Sequence, residues 1–441
     1  MRGSNWLGDV VMTIPAFCRL REAYPEAHIA VLTLPKLADI YRYLPAIDSV
    51  LTLTREESML SVAARLRVER FDTGLILPAS ARTVLPFWLA GIPQRIGYAG
   101  SGRTLLLTHP VQRSEGAQKI RRRPYAEIRR LTASPASQDI NSSDTFLQSS
   151  AAQNSSSLIT SLHTTSLHKF GLRFARSHAR HISSLSHSPL SNHSALPLHH
   201  LHHYLHLVKA LGAQATPSAP SLTVPDADVQ ALRERFSLPS PNEGQPLFGL
   251  NPGAEYGLAK RWPEERFVAA AIEMVRRSGC RWIVLGGAAD RELAARITAA
   301  IQSAITSMDK NSAGNKSGNI PGTMDNVPRQ MVWNLAGETS LRELCAALRV
   351  CDIVLTNDTG PMHVAAAVGT PIVVPFGSTS PELTGPGLPG ETRHHLLKSS
   401  ADCAPCFQRV CPIDFRCMNS ITVSHVVEAM TQQWEILLSL R

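Results

Sequence analysis

The chain has 441 residues, 44% hydrophobic and 18% charged, enough for two or three globular domains. Basic residues outnumber acidic ones 44 to 35, and the net charge of +9 points to an anionic partner such as a phosphorylated substrate or a lipid surface. Aromatics are 6% and do not interleave with the basic runs, which argues against a nucleic-acid binder; no apolar run nears the roughly 18 residues of a membrane span, and the opening MRGSNWLGDVVMTIP is no signal peptide, so a cytoplasmic protein is expected.

In chain order, Val10, Ile14, Phe17 and Leu20 repeat at helical spacing. HIAVLT (28–33), SVLTLT (49–54) and FDTGLILP (71–78) then read as short strands bounded by Pro, Gly or Asp. Strands alternating with helices predict a parallel sheet covered on both faces. The pattern stops at 132–198, where 18 Ser, two Asp and no Glu read as a low-complexity insertion. Eleven of the 17 His lie between His163 and His206 at irregular spacing, which reads as compositional drift rather than a metal tract. A helix resumes over 202–213. Residues 217–245 look like a linker around one helical pattern at 226–236.

The alternation restarts at PLFGLNPG and continues through a helix from Trp262, RWIVLGG and a helix from Asp290. A Gly/Asn/Ser-rich inserted loop is expected over 303–330. VWNLAG, a helix over 340–350, DIVLTND, a helix over 361–368 and PIVVPFG follow, and a helix over 422–440 closes the chain. The expected organisation is an N-terminal Rossmann-like domain (1–216, with the insertion), the linker (217–245), a C-terminal Rossmann-like domain (246–421) and a final helix (422–441). Such halves bind a ligand in the cleft between their strand C-termini.

Four segments carry chemistry. In NWLGDVVMTIP, Gly8 permits a tight turn and Asp9 begins a helix, as an N-terminal cap or as a cleft carboxylate acting as general base. In LNPGAEYGLAKRWP, Lys260 and Arg261 precede a helix whose dipole is already positive, and an anion between them would remove the conflict. IVLGGAADRE is a strand–Gly-Gly–helix turn without the GxGxxG dinucleotide fingerprint. In DIVLTNDTGPMHVAAAVGTPIVVPFGSTSP, a strand ends at Asn357-Asp358-Thr359-Gly360 and Pro361 starts a helix, so free N–H groups would face an anion. A second turn, Phe376-Gly377-Ser378-Thr379, suits a diphosphate beside it.

Together with NLAGETSLREL, these motifs resemble the ADP-heptose:lipopolysaccharide heptosyltransferases, and AEYGLAKRWP looks most like the heptosyltransferase II form. The resemblance implies an α/β GT-B fold, two Rossmann-like domains with parallel sheets facing a cleft. It also implies inverting, metal-independent transfer of heptose from ADP-heptose to a heptosyl-Kdo-lipid A acceptor at the cytosolic face of the inner membrane. By position, Asp9 is the implied base and Lys260 holds the ADP phosphates. Thr359 and Gly360 bind phosphate, Asp358 holds heptose hydroxyls, and His363 supports that loop. Glu338 and Thr339 fall where adenosine is expected, with Asp290 or Glu292 as a ribose contact. Arg121, Arg122 and Arg123, with Lys119, are candidates for acceptor contact or for a solvated helix end. A related glycosyltransferase with another acceptor or nucleotide sugar, and a catalytically impaired binding remnant, are the alternatives. The remnant reading rests on one departure: family members carry a β-strand before NWLGD, whereas four residues precede Asn5 here, and an absent central strand would leave its neighbours unpaired.

Eight cysteines occur. Cys403, Cys406, Cys411 and Cys417 cluster at a spacing open to a structural zinc, reduced thiols or disulfides. Cys18, Cys280, Cys345 and Cys351 fall on apolar faces and read as core.

Overall fold

A computed structural model describes residues 1–54, 56–100, 102–113, 120–133, 199–240, 244–313 and 330–440. The insertion from residue 134 to 198, with the histidines it holds, lies outside the described residues, as do Lys119 and residues 314–329 of the second expected loop.

The N-terminal half runs α1 (Leu7–Met12), α2 (Ile14–Ala23), β1 (Ala30–Thr33), α3 (Ala38–Arg42), β2 (Ser49–Thr52), α4 (Met59–Val68), β3 (Thr73–Ile76), α5 (Ala81–Leu89), β4 (Gln94–Tyr98), β5 (His109–Val111), α6 (Tyr125–Thr132) and α7 (His200–Lys209). β1 pairs with β2, β3 with β4, and β4 with β5, all in parallel. Residues 1–3 fill the slot between these two ribbons. Arg2 N–H donates to Leu75 O at 2.8 Å, Gly3 N–H to Leu32 O at 3.0 Å, and Leu32 N–H to Met1 O at 2.8 Å. Arg2 thus bridges Leu32 and Ile76, both in parallel. The expectation of unpaired neighbours is therefore corrected: three residues are enough to satisfy the facing edges.

The C-terminal half runs α8 (Asp226–Phe236), β6 (Leu247–Asn251), α9 (Glu264–Ser278), β7 (Arg281–Val284), α10 (Arg291–Ala313), β8 (Val332–Asn334), α11 (Leu341–Val350), β9 (Ile353–Thr356), α12 (Gly360–Ala367), β10 (Ile372–Phe376), α13 (Pro381–Thr384), β11 (His395–Lys398), α14 (Arg416–Asn419) and α15 (Val423–Ser439). Its six strands form one sheet in the order β11-β10-β9-β6-β7-β8. β6, β7, β9 and β10 are buried along their whole length, as expected of parallel strands covered on both faces.

Counting residues 1–3 as the first strand, both halves have the doubly wound order in which the chain leaves a central strand in opposite directions. The crevice lies beyond the C-terminal ends of the two central strands. In the C-terminal half these are β6 and β9, which lead into Pro252–Lys260 and Asn357–Thr359. In the N-terminal half they are residues 1–3 and β3, which lead into Ser4–Asp9 and Leu77–Ser80.

One segment differs from expectation. Residues 303–313 continue α10 rather than starting a loop, because Ile301 and Ile305 prolong the buried stripe of Ala294 and Ile297 at helical spacing. The linker carries its expected helix as α8 and is packed: Leu222 N–H donates to Ala367 O at 2.8 Å, and Leu232 and Leu238 are buried. Helix α6 sends Ile128 into the core cluster of the C-terminal half, beside residues such as Met418 and Val426. Among the described residues, no helix is long and apolar enough to cross a membrane.

Candidate active site

Asp9 sits in the first turn of α1, and α1 packs directly on α12. Two glycines allow that approach. A Cβ on Gly8 would lie 2.7 Å from His363 Cδ2, and a Cβ on Gly360 would lie 2.8 Å from Leu7 Cβ. Gly8 is therefore needed for close packing; its φ is not in the positive range that a special turn would require. Burial pushes the Asp9 carboxyl up to about 6, with nearby Tyr204 and the charge of Lys260 opposing the shift. Burial likewise lowers His363 to about 4, so its imidazole is neutral at neutral pH.

The C-terminal side is held by a polar lattice. Asn357 Nδ2 donates to Pro252 O at 2.8 Å, and Trp262 N–H donates to Asn357 Oδ1 at 3.0 Å, which fastens the 252–262 loop to the end of β9. Lys260 Nζ meets Asp358 Oδ2 at 2.6 Å and lies 4.8 Å from the centre of the Tyr256 ring. Thr379 Oγ1 donates to the same carboxylate oxygen at 2.5 Å. The neighbouring cation points elsewhere: Arg261 pairs with Asp290 at 3.2 Å. Lys260 and Arg261 thus pair with two separate carboxylates.

These groups meet in one cavity of about 280 Å³ whose wall includes Asp9, Lys260, Asp358, Thr359, Gly360 and His363. The N-terminus of α12 opens on it. A second cavity of about 500 Å³ lies at the N-terminal crevice, between Ser4–Asp9 and Leu77–Ser80. Trp6, Asp9, Ile120 and His200 belong to both walls, so Asp9 stands at their junction.

The model of glycosyltransferase family 9 (heptosyltransferase) matches residues 142–314 and 316–415, more than half of the sequence. The chain belongs to glycosyltransferase family 9. Lipopolysaccharide heptosyltransferase 2 of Salmonella typhimurium is 24% identical over 392 residues, 87% of this chain and 84% of that one. The solved E. coli ADP-heptose LPS heptosyltransferase II shares the fold with a TM-score of 0.64 at 21% identity, over 98% of this chain and 97% of that one. E. coli heptosyltransferase WaaC with ADP gives a TM-score of 0.54 at 14% identity, over 98% and 100%. The fold is GT-B, and the family 9 member is a glycosyltransferase.

Other candidate residues of this glycosyltransferase lie apart from the cavity. Glu338 and Thr339 follow β8, at the sheet edge, three strand spacings or about 14 Å from β9. Glu338 is exposed and pairs with Arg291 at 3.2 Å. Asp290 accepts the Gly287 N–H at 3.1 Å and is occupied by Arg261. Arg121 and Arg122 are exposed. Arg123 is a tether: its N–H donates to Cys406 O at 2.9 Å, its guanidinium to Asp402 O at 3.1 Å, and its carbonyl accepts from Gln408 at 2.7 Å. Those bonds fix Arg123 to the 402–408 loop.

Zinc, reduced thiols and disulfides were the readings open for Cys403, Cys406, Cys411 and Cys417. All four are free thiols, and among the described residues no group of three or more His, Cys, Asp or Glu forms a metal-binding set. Cys403, Cys406 and Cys417 pack into the apolar core cluster with Met418 and Ile421. Their loop instead walls the site. Phe407 and Arg409 line the cavity, Tyr256 Oη donates to Phe407 O at 2.8 Å, and Ala259 N–H to Arg409 O at 3.0 Å. Gly257, with φ of +154°, leaves room there, since a Cβ would strike the Arg409 backbone. Sequence reasoning missed Trp6, Tyr204, Tyr256 and Arg409. Tyr256 was within reach, because it stands inside the AEYGLAKRWP motif.

Proposed function

We propose that this glycosyltransferase moves heptose from ADP-heptose to a heptosyl-Kdo-lipid A acceptor, with inversion and without a catalytic metal. The observation that supports it most is the placement of Asp9 at the junction of two switch-point cavities. In this reading the donor occupies the C-terminal cavity, with the acceptor in the N-terminal one.

The step is a single displacement. The acceptor hydroxyl oxygen bonds to the anomeric carbon as the bond to the β-phosphate oxygen breaks, and the electron pair leaves with ADP. The hydroxyl proton passes to Asp9. With a carboxyl near 6, Asp9 is ionised at neutral pH yet basic enough to accept that proton. Charge developing on ADP is met by Lys260, which exchanges Asp358 for phosphate, and by the N-terminus of α12. Asp358, freed of Lys260, accepts from heptose hydroxyls. The lysine and the helix dipole supply the positive charge a divalent ion supplies in other transferases. Adenosine extends along the sheet edge toward Glu338 and Thr339. Arg121 and Arg122 face an anionic acceptor at the membrane surface, where the net charge of +9 favours peripheral contact.

The test is transfer itself. Protein, ADP-heptose and singly heptosylated Kdo–lipid A are mixed with and without EDTA, and ADP release and acceptor mass are followed. One added heptose, unaffected by EDTA, is expected. Transfer only to a different acceptor, only from another nucleotide sugar, or only with a divalent ion would overturn the corresponding part of the reading.

A further inference from the structure

The cysteine loop has two sides. Cys403 and Cys406 pack into the core cluster of the C-terminal half, while Phe407 and Arg409 of the same loop line the cavity that holds Lys260 and Asp358. The loop is tied to that cavity at several points. Phe407 N–H donates to Ser378 O at 2.6 Å, in the turn after β10. Ala259 N–H, next to Lys260, donates to Arg409 O at 3.0 Å, and Tyr256 Oη donates to Phe407 O at 2.8 Å. These bonds set Arg409 Cζ over the Tyr256 ring, 5.1 Å from its centre, and Lys260 Nζ lies over the same ring at 4.8 Å.

Two cations thus share one ring in one cavity, but their partners differ. Lys260 is bonded to Asp358 at 2.6 Å, so their charges cancel. The side chain of Arg409 is exposed, and among the described residues its guanidinium has neither a hydrogen bond nor an ion pair. Glu255, another carboxylate of this wall, is paired with Lys36 at 3.1 Å.

We infer that Arg409 is a catalytic residue: its guanidinium binds the donor's diphosphate together with Lys260 and takes part of the charge that develops as ADP leaves. The inference rests on the proposed reading of ADP-heptose as donor. Each phosphate of that donor is negative, and breaking the bond from the β-phosphate oxygen to the anomeric carbon leaves one more electron pair on that oxygen. Lys260 meets this charge only by giving up Asp358, whereas Arg409 has no partner to give up. Its planar fork holds two phosphate oxygens at once, which an ammonium does not. The Tyr256 ring steadies both cations, and the bound anion relieves the repulsion between them.

The experiment is calorimetric binding of ADP and of adenosine, with kcat for transfer from ADP-heptose, in wild type, Arg409→Ala, Arg409→Gln and Arg409→Lys. Arg409→Ala should bind ADP about tenfold more weakly, as a charged hydrogen-bonding group is lost, and adenosine within about twofold of wild type. Its kcat should fall by about 10²-fold, because the contact strengthens as ADP departs. Arg409→Gln should match it, and Arg409→Lys should recover part of both losses. Wild-type ADP affinity and kcat in Arg409→Ala overturn the inference. So does an equal loss of ADP and adenosine binding, which marks a displaced loop rather than a lost charge. Wild type separates the two levels: if it binds no ADP, the donor reading fails and the inference with it, whereas ADP binding and transfer in wild type beside an unaffected Arg409→Ala remove only the role of Arg409.

Discussion

Two aspartates face one cavity from two strand-to-helix turns, and their surroundings divide the chemistry between them. Asp358 follows β9 and is held by Lys260 at 2.6 Å and Thr379 at 2.5 Å. Asp9 follows residues 1–3 and shares a cavity wall with Tyr204, and burial raises its carboxyl to about 6. In the proposed function, equivalent places in two copies of one topology serve as a binder and a base. The difference lies in what the rest of each half delivers: a lysine loop after β6 on one side, a helix from beyond the insertion on the other. Pairs of carboxyls whose environments diverge are how one site can run both tasks at one pH.

The strongest way to break this comparison is to remove the cation. Lys260→Ala should lower kcat/KM for the donor by about 10²–10³-fold, since it takes away charge stabilisation on the departing ADP. Steady-state kinetics with ADP-heptose checks this, and a loss under threefold would place the phosphate site elsewhere. The next effect is on pH. Asp9 must be ionised to accept a proton, so kcat should be level above pH 7 and fall through about 6, approaching tenfold per unit below it. A rate that rises as the pH drops from 7 to 5 contradicts the assignment.

Smaller effects sharpen the geometry. Gly360→Ala would set a Cβ 2.8 Å from Leu7 Cβ and should destabilise the contact of α1 with α12 by about 1–3 kcal/mol. Chemical denaturation measures it, and wild-type stability would mean the two turns do not close on each other in solution. Cys403→Ala should cost about 1–2 kcal/mol as loss of buried packing. Zinc co-purifying in stoichiometric amount with wild type and lost from this variant would contradict the reading of that loop as an apolar wall.

What the sequence disclosed was local. NWLGD, AKRWP and TNDTGPMH each sit where a strand meets a helix, so residue pattern and position were read together, and all three turns open on one cavity. Features set by sheet order or distant chain were not legible. Glu338 looks near Asp358 in sequence, but β6 and β7 stand between their strands. Arg123 looked like a free cation until the loop at 402–408, some 280 residues on, took up its backbone and guanidinium groups. β5 is three residues long and contains Pro110, and β11 is only half-buried, so neither carried a strand signal. Tyr204 stood in a helical run with no mark of function; only the packing of α7 on α1 brings it to Asp9.

The central claim is the division of labour between the two aspartates, and its most direct measurement pairs calorimetric binding of ADP-heptose with turnover for Asp9→Asn and Asp358→Asn. Asp9→Asn should bind the donor within about threefold of wild type while turnover falls by about 10²–10⁴-fold. Asp358→Asn should weaken donor binding by tenfold or more, since a buried lysine loses its partner and the sugar an acceptor. The reverse pattern, with Asp9→Asn failing to bind or turning over normally, would contradict the account.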